Sequence, residues 1–280
     1  MTDTKKKIGK VILSVIRVLI VSYAGLMGFV YFFQSHYVYR PEKEIINRPD
    51  ELGMAYEAVF FKAADGINLT GWFIPADKSQ LVILFCHSNA GNISYYLDSM
   101  RLYHDLVFSA LVFDYRGFGQ SGGKPTESGT YLDAEAAWKF IAENKKIPPE
   151  DIVIIGRSLG GAIGAWLAER HNPRALILES AFTSFKEMAA EFFPYLPAKA
   201  LARYDYDTIE YIRGVKCPLL VVHSRDDEVA PFRMGVELFE AANKPKEFLE
   251  ISGSHNECYE SSAKRYTVGL KDFLSKYAPK

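Results

Sequence analysis

The longest apolar run in the chain is Val11 to Phe33, with Arg17 as its one charge and Lys5, Lys6, Lys7 and Lys10 just before it. About 20 apolar residues suffice to cross a bilayer, so the run predicts a transmembrane helix over 11–33. Tyr31 and Tyr37 fall where an interfacial aromatic belt is expected, and Arg17 lies near enough to the lysines to snorkel. A cleaved signal peptide is the rival reading. Its apolar core runs about 7–15 residues and ends in small residues, whereas this run is longer and closes on bulky aromatics. We therefore read a signal anchor. The lysines predict a cytoplasmic tail over 1–10 and a catalytic domain on the non-cytoplasmic side, with Arg40 and Lys43 on the far flank weakening that bias.

Beyond a polar stretch over 34–54 that holds Pro41 and Pro49, read as a linker, the pattern changes period. Tyr56 to Ala63 alternates, Asp65-Gly66 is a hairpin signal, and Asn68 to Ile74 is the partner strand. Short apolar strands then alternate with helical segments: strands at Leu81–Cys86, Ser109–Phe113, Asp151–Ile155, Ala175–Leu178, Pro218–His223 and Phe248–Ile251, and helices near Ile93–Leu106, Tyr131–Asn144, Ala162–Arg170, Met234–Ala242 and Glu257–Tyr277. Fully apolar strands separated by helices predict a mainly parallel sheet, here eight-stranded, with helices on both faces and the opening hairpin at one edge. Right-handed crossovers bring the loops after the parallel strands to one rim. The aromatic, proline-interrupted stretch over 182–207 reads as short helices forming a small lid. The domain therefore spans 55–280.

Net charge and cysteines narrow the function classes. The formal charge of −1 gives no basic surface for nucleic acid. Cys86, Cys217 and Cys258 are too few and too scattered for a disulfide framework or a zinc site, so no metal and no organic cofactor is expected.

The candidate chemistry begins at Gly156-Arg157-Ser158-Leu159-Gly160, a G-x-S-x-G between a buried strand and an Ala- and Leu-rich helix. A strand turning directly into a helix strains the turn residue, and the flanking glycines let strand and helix approach without a Cβ clash. The serine is left protruding, and the next N–H opens a helix where partial positive charge gathers. Such small-residue turns also occur without catalysis, so an acid and a base must follow. The strand at Pro218–His223 runs into Asp226-Asp227-Glu228, and the last strand runs into Ser254-His255-Asn256. Serine, acid, histidine is the order of an α/β-hydrolase triad. Ser158 needs a base to become a nucleophile. His255 can take that proton, and an aspartate can fix its tautomer. Asp226 and Asp227 are adjacent and only one can face His255. His87, His104, His171 and His223 lack the position after the last strand. For the oxyanion, the backbone N–H of Leu159 and that of Asn89 are the candidate donors.

Taken together, His87–Asn92 (HSNAGN), Asp114–Gly123 (DYRGFGQSGG), Gly156–Gly161 (GRSLGG), Cys217–Phe232 and Gly253–Glu257 (GSHNE) resemble the α/β-hydrolase superfamily over nearly the whole chain. Within it, the chain resembles the small membrane-anchored members: the bud-emergence-suppressor-like proteins and the α/β-hydrolase-domain acyl-protein hydrolases. The resemblance lays the family pattern H-G-x-x-D-x-x-V-P on His223, Asp227 and Pro231, which favours Asp227 as the acid. Ser88 and Ser224 stand where the family has glycine. The function implied is cleavage of carboxylic esters or thioesters, on acyl or lipid-like substrates, through an acyl-enzyme. A serine peptidase on the same fold is one alternative, and a non-catalytic partner-binding protein on a hydrolase fold is another.

Overall fold

Side chains alternate between the two faces of a strand, and in the parallel strands both sets are apolar. The computed structural model describes residues 2–77, 79 and 81–277. Helix α1 (Thr2–Val38) leads to a two-residue strand β1 (Arg40–Pro41), and the hairpin β2 (Glu57–Lys62) and β3 (Asn68–Ile74) follows. Next come β4 (Val82–Cys86), the two-residue β5 (Ala90–Gly91), α2 (Leu97–Asp105) and β6 (Ser109–Asp114). Helix α3 (Glu127–Lys139), β7 (Ile152–Arg157), α4 (Leu159–His171) and β8 (Ala175–Glu179) carry the chain to α5 (Phe185–Phe192) and α6 (Ala198–Leu201), the short helices of the segment expected to be a lid. The remainder is α7 (Thr208–Gly214), β9 (Leu219–Ser224), α8 (Phe232–Ala241), β10 (Lys246–Ile251), α9 (Cys258–Ser261) and α10 (Ala263–Tyr277).

The eight-stranded sheet has the order β10-β9-β8-β7-β4-β6-β3-β2. It is parallel from β10 to β6, and β3 and β2 close one edge antiparallel. In β4, Leu84 and Cys86 join the core beneath α3 and α4, whereas Ile83 and Phe85 join the core beneath α2 and α10. Each layer buries apolar surface worth about 25 cal/mol per Å². The strand positions agree with the apolar pattern to within a few residues. The closing helix differs, being broken at Ser262 between α9 and α10. Helix α7 has no counterpart in the pattern analysis.

Helix α1 is the one element that leaves the domain. Its 37 residues extend roughly 55 Å at 1.5 Å per residue. It is long and apolar enough to cross a membrane, and none of its most apolar stretch is buried. Its last turn is different: Gln34 and Val38 are buried, and Tyr39 after it is buried too. Thus the helix runs five residues past the expected span and docks on the domain. The stretch expected to be a linker lying on the domain does lie on it: Arg40 pairs with Ala90 and Pro41 with Gly91 in a two-stranded sheet beside the loop after β4.

A very close backbone approach lies where α4 begins. A Cβ placed on Gly160 would lie 2.0 Å from the Cys86 carbonyl oxygen and 2.6 Å from that of His87, both backbone. A Cβ on Gly156 would lie 2.3 Å from the Gly160 carbonyl. These two glycines let α4 rest directly on the ends of β4 and β7. Gly160→Ala is therefore expected to lose about 1–3 kcal/mol of stability by overpacking, read as a shifted denaturation midpoint with unchanged slope. A midpoint equal to that of the parent protein would refute this account of the packing.

Candidate active site

Ser158 sits between β7 and α4 with φ 53° and ψ −116°, a left-handed conformation rare for any residue but glycine. Such strain persists only where the surroundings over-determine it. Here the Ser158 N–H donates to the Glu179 carbonyl at 2.8 Å, and its carbonyl accepts from Gly161 N at 2.9 Å. The strain turns the side chain out over the sheet rim.

Two further loops meet it there. The loop after β9 carries Asp227, and the one after β10 carries His255. His255 Nε2 lies 3.2 Å from Ser158 Oγ, and His255 Nδ1 lies 2.8 Å from Asp227 Oδ2 and 2.9 Å from Oδ1. Asp227 Oδ1 also accepts from Val229 N at 2.9 Å and Ala230 N at 2.7 Å. Burial pushes the Asp227 carboxyl up. The hydrogen bond and charge of His255, with the two backbone donors, outweigh it and hold the group below the ordinary carboxylate range. A carboxylate anchored in this way fixes the imidazole with Nδ1 as donor and leaves Nε2 free to accept from Ser158.

The neighbouring polar groups have local tasks. Asp226 accepts from Gly253 N at 3.1 Å, and Glu228 accepts from His255 N at 3.0 Å. Glu257 accepts from the Ser254 hydroxyl at 3.3 Å. His223 donates from Nε2 to the Ala230 carbonyl at 2.8 Å, and burial lowers its basicity, so it braces the Asp227 loop as a neutral ring. Cys86, Cys217 and Cys258 are free and buried.

Of the two expected oxyanion donors, Leu159 is the first residue of α4, where N–H groups have no partner within the helix. Asn89 lies in the loop after β4, which abuts the start of α4 through Gly160. That loop is braced by the segment leaving α1. The Asn89 carbonyl accepts from Arg40 N at 2.9 Å, and its side-chain amide donates to the Val38 carbonyl at 2.8 Å. Ser88, in place of the family's glycine, fits without distortion: its hydroxyl donates to Asn89 Oδ1 at 3.2 Å and it faces an open cavity.

That cavity, of about 560 Å³, opens beside His255 and is walled by Ser88, Tyr95, Tyr96, Leu102, Arg157 and Tyr259. Its size suits a small-molecule ligand. Arg157, invisible as a functional candidate in the sequence, forms its floor. It donates to Glu179 at 2.8 Å and Ser99 at 3.0 Å and stacks 3.8 Å over the Tyr259 ring. The signal was its place inside the G-x-S-x-G motif. Ser158, Asp227 and His255 are each under 9% exposed, and of the three His255 lines this cavity.

The comparisons with known proteins agree with this architecture. The family described as alpha/beta hydrolase fold matches residues 82–202. The α/β-hydrolase domain-containing protein WAV2 of Arabidopsis thaliana is 36% identical over 276 residues, covering 88% of this chain and 89% of that protein. The chain belongs to the α/β-hydrolase family. Bem46 of Schizosaccharomyces pombe is a further relative of this hydrolase-family chain, 31% identical and covering 76% of each. An esterase from Pyrococcus furiosus superposes with a TM-score of 0.74 at 21% identity, over 86% of this chain and 98% of that one.

Beneath the loop after β4 lies a buried, mismatched pair typical of neither a salt bridge nor a hydrogen bond. His87 Nε2 stands 4.0 Å from Asp114 Oδ1, and His87 Nε2 and Asp114 Oδ2 both lack hydrogen-bond partners among the described residues. Burial raises the Asp114 carboxyl to about 7, and burial lowers His87 to about 4. Asp114 Oδ1 accepts from Ile93 N at 2.9 Å, holding the end of the loop that carries Asn89. With an ordinary carboxyl at 3.8 and the folded one about 7, the folded state binds the extra proton between them. Asp114 therefore stabilises the fold fully below the lower value and loses that contribution as pH rises through the upper one. His87 works oppositely, losing its contribution as pH falls from 6.5 towards about 4. Asp114→Asn is expected to remove the fall in melting temperature that this carboxyl contributes between pH 3.8 and about 7, so the variant's profile climbs more steeply than the parent's across that window and runs parallel to it above. Profiles that run parallel across that window would contradict this assignment.

Proposed function

We propose that the chain is a membrane-anchored serine hydrolase that cleaves carboxylic esters or thioesters, on acyl or lipid-like substrates, through an acyl-enzyme on Ser158. The observation that carries this reading is the hydrogen-bonded line from Asp227 through His255 to Ser158, with 2.8 and 3.2 Å links. Ser158 Oγ attacks the carbonyl carbon while its proton passes to His255 Nε2. The carbonyl electrons move onto oxygen, held by the N–H groups of Leu159 and Asn89. Collapse breaks the bond to the leaving oxygen or sulfur, which takes the proton from His255 and departs as alcohol or thiol. Water repeats the sequence: it gives its proton to His255, its oxygen bonds the acyl carbon, and Ser158 recovers the proton as the carboxylic acid leaves. The steps balance with water as the sole co-reactant.

In this reading residues 1–10 are cytoplasmic, 11–33 cross the membrane, and 55–280 form the catalytic domain on the non-cytoplasmic side. The exposed apolar length of α1 and the lysines before it support that arrangement. The structural likeness to the Pyrococcus furiosus esterase makes a short ester the first substrate to try.

Ser158→Ala is expected to lower turnover of a p-nitrophenyl ester at least about 10⁴-fold. In Asp227→Asn, the amide oxygen remains the acceptor for Val229 and Ala230 N–H and the NH₂ turns to His255 Nδ1. That forces the wrong tautomer and a loss of about 10⁴ in kcat. Either variant turning over at the parent rate would remove Ser158 or Asp227 from the mechanism.

A further inference from the structure

The segment expected to be a lid, over 182–207, is held to both the domain and α1. Its base is closed on the domain: Phe185 N donates to the Asp205 carbonyl at 2.9 Å, and Ile209 N to the Thr183 carbonyl at 2.9 Å. Glu127, in the first turn of α3, accepts from Tyr206 N at 2.6 Å and Asp205 N at 2.8 Å. From this fixed base the lid rises along α1. Gln34 donates to the Leu201 carbonyl at 2.6 Å and accepts from Arg203 N at 2.9 Å. Farther up, the Tyr23 hydroxyl donates to the Tyr195 carbonyl at 3.1 Å. Tyr23 lies 11 positions before Gln34, so the lid follows the helix for about 16 Å.

That height conflicts with a lid lying in water. If α1 crosses the membrane, the hydrocarbon begins beyond Lys10 and takes about 20 residues, ending near Val30. Tyr23 then lies about 10 Å inside the far boundary, and the lid tip bonded to it lies at the same depth. Sliding the helix to lift the tip out would draw Lys5, Lys6, Lys7 and Lys10 into hydrocarbon, where lysine is strongly disfavoured. The tip has the matching chemistry. Phe192, Phe193, Pro194, Tyr195, Leu196 and Pro197 carry no charge, and Phe192 and Tyr195 are 54% and 92% exposed. Of the charges around it, Lys199 pairs with Glu187, Lys186 with Asp205 and Glu191 with Arg233 of α8, while Arg203 lies 5.2 Å over the Tyr31 ring of α1.

We propose that the lid tip, Phe192–Pro197, is inserted into the bilayer leaflet adjoining the catalytic domain, as a second membrane contact beside α1. The partner is the acyl-chain region of the lipid itself. The inference rests on the reading of α1 as a membrane span. Because α1 also braces the Asn89 loop through Val38 and Arg40, the same geometry turns the site's rim towards that leaflet. An acyl chain could then reach the rim laterally from the leaflet.

The test uses the full chain in phosphatidylcholine vesicles, with one exposed cysteine at a time carrying an environment-sensitive nitrobenzoxadiazole label. Tyr195→Cys probes the tip, Leu19→Cys the helix, and Phe60→Cys the far edge of the sheet; all three positions are exposed, and the native cysteines are buried. We expect blue-shifted emission at 195, quenched by lipids brominated on the acyl chain to at least half the extent seen at 19, and water-like, unquenched emission at 60. Quenching at 19 with water-like emission at 195 would overturn the lid insertion and leave the anchor standing. Water-like emission at both would overturn the span and the insertion with it.

Discussion

The close packing of α4 against the ends of β4 and β7 is the constraint on which the rest depends. Only residues without a Cβ fit at Gly156 and Gly160, where backbone oxygens stand 2.3 and 2.0 Å from the places a Cβ would occupy. The approach forces Ser158 into its left-handed conformation and aims the free N–H groups of the first turn at the space above it. It also presses the loop after β4 against the start of the helix, so both candidate oxyanion donors are held by one contact. A looser elbow would release the serine and the donors together.

Around this point the electrostatics are graded. Asp227 is kept charged by three donors, His255 Nδ1–H and two backbone N–H groups. At Asp114, only one loop away, burial outweighs the backbone donors and pushes the carboxyl towards neutrality. Two aspartates on the same rim thus serve different ends: one orients an imidazole, the other supports a loop. Arg157 and Glu179 add a buried pair under the cavity, satisfied by Ser99, Tyr103 and Tyr266 and stacked on Tyr259.

The sheet was legible because its apolar strands leave no other placement, and the elbow was legible because G-x-S-x-G fell between a clear strand and a clear helix. Ser158 and His255 could be named from chain order. The choice between Asp226 and Asp227 could not be made from composition or spacing, since adjacent carboxylates on a loop look alike until a turn directs one inward; only the family pattern favoured Asp227. The segment over 34–54 looked like a linker because its contacts are made by backbone atoms, Arg40 N and the Val38 carbonyl, which have no sequence signature. Helix α7 is short and was hidden by the aromatic lid before it. The break at Ser262 was missed because that hydroxyl satisfies the Ser252 backbone across the loop, a non-local contact. The height of the lid along α1 depends on the hydrogen bond from Tyr23 to a carbonyl 172 positions away, which no local pattern carries.

The central claim is that Ser158 is an activated nucleophile. The direct measurement is intact-mass analysis of the full chain after reaction with a fluorophosphonate, followed by peptide mapping. The account predicts one adduct per chain, located on Ser158. An unmodified chain, or an adduct on any other residue, would contradict it.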